Sequence, residues 1–289
     1  MDQKKILITG KDSYIGNSVK NWLINHKQHD RVDEVCLKDG TWQALDFSVY
    51  DVVFHVAGIA HSDTGNASED TKALYYQINT ELTVEVAKKA NAEGVGQFIF
   101  MSSMIVFGSG VKAGIHTETV ANPDNFYGDS KRQAEIGLMK LRSDLFKVAI
   151  IRPPMVYGKG SKGNYPRLAK LARTVPIFPA VDNVRSMIHI ENLCEFVSLL
   201  IKYTDDGIFH PQNEAYVNTS DLVALIAEIH GKKVRLTKIF NPLLKLFSKR
   251  IPTIDKVFGN LYYDQKLSEY KENYQVHNFR ESVELTEKY

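Results

Sequence analysis

Long apolar runs, paired cysteines and a charge bias are all missing from this chain, and each absence excludes a class. No apolar stretch approaches the roughly 20 residues needed to span a bilayer. Two cysteines in 289 residues, Cys36 and Cys194, both in apolar runs, make no disulfide framework, which points to a reducing, cytoplasmic compartment. Thirty-six Lys and Arg against 34 Asp and Glu leave a net charge of +2. Bulk electrostatics therefore points to neither nucleic acid nor a strongly anionic surface. No residues are assigned to a metal, and there are no internal repeats, low-complexity tracts or disordered linkers. The first residues, Lys4-Lys5-Ile6-Leu7-Ile8-Thr9, read as a strand rather than a signal peptide. What remains is a globular composition long enough for one large domain or two closely built lobes.

Residues 6–9 form an apolar β run followed at once by Gly10-Lys11-Asp12-Ser13-Tyr14-Ile15-Gly16. Ile15, Val19, Trp22 and Leu23 then recur at helical spacing. Strand, glycine turn, helix is the context in which a glycine motif is informative. Gly10 allows the tight turn, Gly16 lets helix and strand pack closely, and the helix start offers N–H groups to a pyrophosphate. Ser13 stands where the middle glycine of the usual pattern would be. A second strand, 32–37, ends in Lys38-Asp39. Asp39 suits a ribose and Lys38 suits a 2′-phosphate, so NAD and NADP both remain open.

Further buried parallel-type strands cover 51–58, 97–103 and 148–154. The first ends in Ala57-Gly58, small enough for the backbone to approach a cofactor; His55 within it reads as a core histidine. The second ends in Ser102-Ser103, and the third is stopped by Pro153-Pro154. Residues 75–92 read as a helix containing Asn79. Beyond residue 158 come a short basic helix at 166–173, a strand at 185–190, and helices at 191–202 and 222–230, the last capped by Thr219 or Ser220. The basic amphipathic stretch 238–251 can sit on an anionic membrane but reads rather as a lobe helix with its lysines in water, and the polar tail after 269 as fraying. Strands alternating with helices imply an α/β fold, a Rossmann-like doubly wound parallel sheet with a smaller C-terminal α/β substrate-binding lobe. The expected division is 1–158 for the NAD(P)-binding part and 159–289 for the lobe, with 185–202 returning to the sheet.

Tyr127 and Lys131 are four residues apart at the start of a helix running to 141, hence on one face. A free phenol titrates near pH 10, and an adjacent ammonium stabilises the phenolate. Such a pair can move a proton to or from a carbonyl or alcohol. Taken alone the pair is a common surface feature; Ser103 ahead of it, at a strand's carboxyl end, gives it weight.

With Gly10–Gly16, Ala57-Gly58, Asn79, Ser103, Tyr127/Lys131 and Arg152-Pro153 in this order, nearly the whole chain resembles an extended short-chain dehydrogenase/reductase of the NAD-dependent epimerase/dehydratase family. Within it the resemblance is to bacterial nucleotide-sugar 4-ketoreductases and 4-epimerases of capsule or O-antigen synthesis. The resemblance implies that Ser103 and Tyr127 bond the reacting oxygen, with Tyr127 as acid/base, and that Lys131 binds the nicotinamide ribose and tunes Tyr127. It implies cofactor contacts from Gly10, Ser13, Tyr14, Ile15, Gly16, Asp39, Asp46, Ala57, Gly58, Asn79 and Pro153, with NAD(H) or NADP(H) as cofactor. A UDP-sugar substrate would meet His61, Ser103, Met104, Asn164 and Arg185, and the working unit would be a homodimer. Phe107 stands where the family usually has a tyrosine.

Dehydration is disfavoured because Met104 and Ile105 replace the Asp-Glu pair expected after the catalytic hydroxyl. An epimerase gains from loops that clamp the adenine end, and residues 37–46 are too few to build one. The reading therefore leans to reduction of a UDP-4-keto-6-deoxy-HexNAc, with a UDP-sugar 4-epimerase as the alternative and a non-catalytic dinucleotide sensor as a distant one.

Overall fold

The central strands are apolar along nearly their whole length rather than at alternate positions, so both faces of the sheet they form must be covered. The computed structural model, which describes residues 4–26, 31–60, 67–108, 110–111, 114–242 and 257–288, shows how. Six parallel strands lie in the order β2 (Arg31–Val35), β1 (Lys5–Thr9), β3 (Val52–His55), β4 (Gln97–Met101), β5 (Lys147–Ile151) and β9 (Gly207–Phe209). One face, with Ile6, Ile8, Phe54, Ile99 and Ile151, packs against Val19 and Leu23 of α1 (Tyr14–Asn25) and Leu193, Val197 and Leu200 of α6 (Ile190–Tyr203). The other, with Leu7, Val53, Phe98, Phe100 and Val148, packs against Val86 and Ala90 of α3 (Thr83–Ala92) and Ala134 and Leu138 of α4 (Phe126–Met139). This is the doubly wound α/β arrangement.

From β1 the chain steps to β2 on one side, then crosses to β3 on the other. That reversal opens a crevice at the carboxyl ends of β1 and β3, where such sheets take ligands. The helix read at 75–92 is the second part of a longer run. It comprises α2 (Glu69–Tyr76), a π-helical turn (Gln77–Leu82) and α3. Ser68 starts the run, its Oγ accepting from Thr71 N at 3.2 Å. π turns are rare and concentrate at functional sites; this one carries Asn79.

Past β5, β6 (Met155–Tyr157) pairs with β8 (Met187–His189), and β7 (Ile177–Pro179) with β10 (Arg235–Thr237). Strands of three residues are too short for a periodic signal, so β7, β9 and β10 escape the sequence. Helices α5 (Asn164–Thr174), α7 (Thr219–Ile229) and α8 (Phe279–Lys288) bury Tyr165, Leu168, Val223, Ile226 and Val283 in a second core. The cap of α7 is Asn218, whose Oδ1 accepts from Ser220 N at 2.8 Å and Asp221 N at 3.2 Å, in place of Thr219 or Ser220. The tail does not fray, because Phe279 and Val283 share one face of α8 and dock it on the lobe. Of the basic stretch 238–251, residues 238–242 fall within the described part. Among the described residues no helix is long and apolar enough to cross a membrane.

Candidate active site

The crevice is shaped by what its glycines leave out. Gly10 has φ +94°, and a Cβ there would stand 2.8 Å from Ala57 N. A Cβ on Gly58 would stand 2.9 Å from Asn79 Oδ1 and 3.1 Å from Lys131 Nζ. Three separate segments therefore converge at the end of β3. Asn79 is fully buried: its Oδ1 accepts from Ile59 N at 2.8 Å and its Nδ2 donates to Ser130 Oγ at 3.1 Å. Ser13 Oγ accepts from Gly16 N at 3.1 Å, so the hydroxyl in the glycine motif caps α1. Tyr14, the first residue of α1, buries a hydroxyl without a partner. A Cβ on Gly158 would stand 2.7 Å from that oxygen. A turn that opens on Gly10 with no room for a Cβ against Ala57, followed by a helix N-terminus closely packed at Gly16, suits an extended dinucleotide, so the residues present fit the cofactor.

Ser103 precedes a 3-10 turn (Met104–Phe107), its Oγ accepting from Ile105 N at 3.3 Å. Tyr127 opens α4 close enough for the Ser103 hydroxyl to act on its phenol. Two local features make that approach possible. Asn125 Oδ1 accepts from Gly128 N at 2.9 Å and fixes the start of α4. A Cβ on Gly128 would stand 2.8 Å from the Ile105 carbonyl oxygen. The glycine directly after Tyr127 thus lets the helix reach the serine.

Burial pushes the Tyr127 phenol up to about 12, and the nearby Ser103 hydroxyl works against that rise. Lys131 Nζ donates to the Met101 carbonyl oxygen at 3.0 Å and lies 4.7 Å from the centre of the Phe100 ring. Burial lowers its pKa to about 8. Of the groups around the phenol, Ser103 lowers its pKa, and the Lys131 ammonium is anchored on β4.

The sequence reading gave no role to the buried ion pair behind these groups. Arg152 Nε and Nη2 donate to the two oxygens of Glu135 at 2.9 and 2.7 Å, with Glu135 wholly buried. Ser102 Oγ and Arg132 Nη1 donate to the same carboxylate at 2.6 and 3.1 Å. Glu135 is four residues beyond Lys131, so the spacing Tyr-x-x-x-Lys-x-x-x-Glu was its visible signal. The pair ties α4 to the ends of β4 and β5 next to Ser103.

The other expected residues scatter. Pro153 is buried, and its carbonyl accepts from Met104 N at 2.9 Å, which fixes the 3-10 turn to the end of β5. Ile15 packs on the first core. Asn164 and Arg185 line one small cavity in the lobe with Met155, Met187 and Thr219. Arg185 Nη1 donates to the Gly259 carbonyl at 2.8 Å. Asp39 is exposed, and hydrogen bonds from Thr41 hold its carboxyl below the usual range. Asp46 is exposed too, bonded by Ser48 and facing Lys89 at the far end of α3, away from the glycine turn. His61 lies outside the described residues. His55 is fully buried between Thr9 Oγ1 at 2.9 Å and Thr83 Oγ1 at 3.0 Å, a core group.

Two further features lie away from the crevice. A surface depression bounded by Asp205, Asp206 and Tyr270 opens at the amino end of β9. Of its carboxylates, Asp205 is held by Lys271 and Asp206 by Arg142. His189, Glu191 and His277 place donor atoms within 4.8 Å of one another. Glu191 is bound to His277 at 2.5 Å, and His189 Nδ1 caps α6 by accepting from Glu191 N at 3.4 Å.

Known proteins bear on this geometry. The model of the NAD dependent epimerase/dehydratase family matches residues 6–213. UDP-glucose 4-epimerase from Vibrio cholerae is 31% identical over 287 residues, covering 90% of this chain and 87% of the relative. N-acetyl-alpha-D-glucosaminyl-diphospho-ditrans,octacis-undecaprenol 4-epimerase from Escherichia coli O157:H7 is 28% identical, covering 76% and 67%. Among solved structures, the enzyme WbmG of Bordetella bronchiseptica in complex with NAD superposes with a TM-score of 0.75 at 17% identity, covering 99% and 93%; at that identity it speaks for the fold. With the family match spanning the glycine turn, Ser103, Tyr127 and Lys131, the chain belongs to the NAD dependent epimerase/dehydratase family of nucleotide-sugar enzymes and is built for NAD(H) or NADP(H).

Proposed function

We propose that the protein epimerises carbon 4 of a sugar carried on a diphosphate, a UDP-hexose in the first instance. The observation that carries this reading is the approach of Tyr127 to Ser103, allowed by Gly128 against Ile105, beside the cofactor cradle, in a chain aligned over nine-tenths of its length with a UDP-glucose 4-epimerase. The nicotinamide, when bound, supplies the hydride chemistry. Tyr127 takes the proton from the sugar hydroxyl and returns it, and Ser103 holds the same oxygen. Lys131, fixed to β4, presents its ammonium beside Gly58 and Asn79. Asn164 and Arg185 hold the diphosphate end, where a guanidinium suits paired phosphate oxygens. The working unit is a homodimer formed through α2, α3 and α4, where Leu74 and Ile136 are 45% and 44% exposed.

A second reading, reduction of a UDP-4-keto-6-deoxy-HexNAc, is favoured by the thin adenine side. Residues 37–46 form one 3-10 turn, and Asp39 and Asp46 are occupied by their own loops. Such a cofactor exchanges readily, which suits an enzyme that consumes one reduced nicotinamide per turnover. The test is incubation with UDP-glucose and UDP-GlcNAc under NAD+ without reductant, with products resolved by NMR. Appearance of the 4-epimer supports the first reading. No epimer, together with NAD(P)H oxidation by a UDP-4-keto-6-deoxy-HexNAc, replaces it with the second.

A further inference from the structure

Positive charge is not spread evenly over the protein. Residues 164–180 and 231–242 contain no Asp or Glu, although the chain as a whole has 34 of them. The first segment carries Arg167, Lys170 and Arg173 on α5, all exposed. The second carries Lys232, Lys233, Arg235 and Lys238 around β10, all exposed too. These seven cations exceed the net charge of +2, so the rest of the chain is net negative.

The fold brings the two segments together. β7 and β10 pair with Ile177 opposite Arg235, and Arg235 N donates to the Pro176 carbonyl at 2.9 Å. Lys232 Nζ donates to the Arg173 carbonyl. Strand alternation sends Phe178 and Leu236 into the lobe core and leaves Ile177 and Arg235 outside. Arg173 Nη1 lies 3.6 Å from Glu287, a carboxylate also bound by His230 Nε2 at 2.7 Å. Large apolar side chains stand among the cations. Leu171 is 40% exposed, Ile177 46%, Phe240 39% and Ile239 79%. The same helix, α5, begins at Asn164, which lines the lobe cavity.

Cations interleaved with exposed apolar groups are the surface chemistry of a protein that rests on an anionic bilayer: the charges meet lipid phosphates and the apolar groups enter the acyl boundary. We infer that this face of the lobe docks on an anionic membrane surface. It bears on the reading of the site as one for a sugar diphosphate, since a lobe held at the bilayer has access to a diphosphate whose other end is a lipid. The docking itself does not depend on that reading.

Co-sedimentation of the full-length protein with vesicles of phosphatidylcholine containing about a third phosphatidylglycerol tests it, against vesicles of phosphatidylcholine alone. Binding is expected to the anionic vesicles, to weaken in high salt, and to fall at least about fivefold for each charge reversed in Lys232→Glu, Lys233→Glu and Arg235→Glu. Ile239→Ser is expected to weaken binding in a salt-independent way, as loss of buried apolar area does. Absence of binding to anionic vesicles at low salt overturns the inference. So does unchanged binding of the triple variant, or equally tight binding to duplex DNA, which marks a general polyanion site. Turnover of water-soluble UDP-glucose is followed in parallel. It is expected to be unchanged in the triple variant, and its absence from the unmodified protein counts against the catalytic reading and not against docking.

Discussion

Lys131 Nζ lies 3.0 Å from the Met101 carbonyl oxygen. The lysine that follows Tyr127 by one turn is thereby tied to the strand before Ser103, and α4 and β4 are held as one unit. Ser103 and Tyr127 inherit their alignment from that tie and from the Glu135–Arg152 pair behind it.

Tyr127→Phe removes the proton-transferring oxygen and little else. Turnover is expected to fall by about 10²–10⁴-fold, with NAD(H) affinity unchanged when titrated by quenching of protein fluorescence. Comparable turnover in the variant excludes Tyr127 as the acid/base.

Ser103→Ala deletes the hydroxyl that opposes the rise of the Tyr127 pKa. The phenol then titrates at still higher pH. In the direction that needs the phenolate, the rising limb of the pH–rate profile is expected to move to more alkaline pH as the rate falls. A lowered rate with an unmoved limb contradicts this role for the serine.

Glu135→Gln leaves the buried guanidinium of Arg152 without its counter-charge. Removing one member of a buried pair costs about 3–5 kcal/mol, read from the denaturant midpoint. Arg152→Met with Glu135→Leu is expected to recover much of that stability without recovering activity, because the ends of β4 and β5 are no longer fixed to α4.

Acid should destabilise the protein through its buried histidines. Burial holds His55 down to about 3, and His189 and His210 to about 4. An unfolded histidine takes up a proton near pH 6.5. Between that value and the folded one the unfolded state binds more protons, so stability falls as pH is lowered through this window. The slope is about 1.4 kcal/mol per pH unit for each histidine. His55→Asn is expected to remove one proton's worth of that slope in urea titrations between pH 6.5 and 4.

Gly58→Ala places a methyl group 2.9 Å from Asn79 Oδ1 and 3.1 Å from Lys131 Nζ. Both groups must shift, so cofactor affinity and turnover are expected to fall together. Equilibrium titration with NADH and steady-state rates check this.

The order of strands and helices, the glycine turn and the Tyr-x-x-x-Lys face were legible in the sequence, because each is a local pattern with a fixed period or spacing. Strand runs at 6–9, 97–103 and 148–154 announced a buried parallel sheet by being apolar throughout, and Ser103 stood at the end of one of them. The approach of Ser103 to Tyr127 depends on a missing Cβ at Gly128 against Ile105, a contact between segments more than 20 residues apart. The π turn at Asn79, the three-residue strands β7, β9 and β10, and the Glu135–Arg152 pair likewise follow from partners distant in sequence. The local spacing shows that Lys131 is near Tyr127, but only the packed structure turns its ammonium to β4, because a buried charge goes where an oxygen can receive it. The basic face of the lobe, too, comes from two segments far apart in the chain and exists only once β7 and β10 have paired.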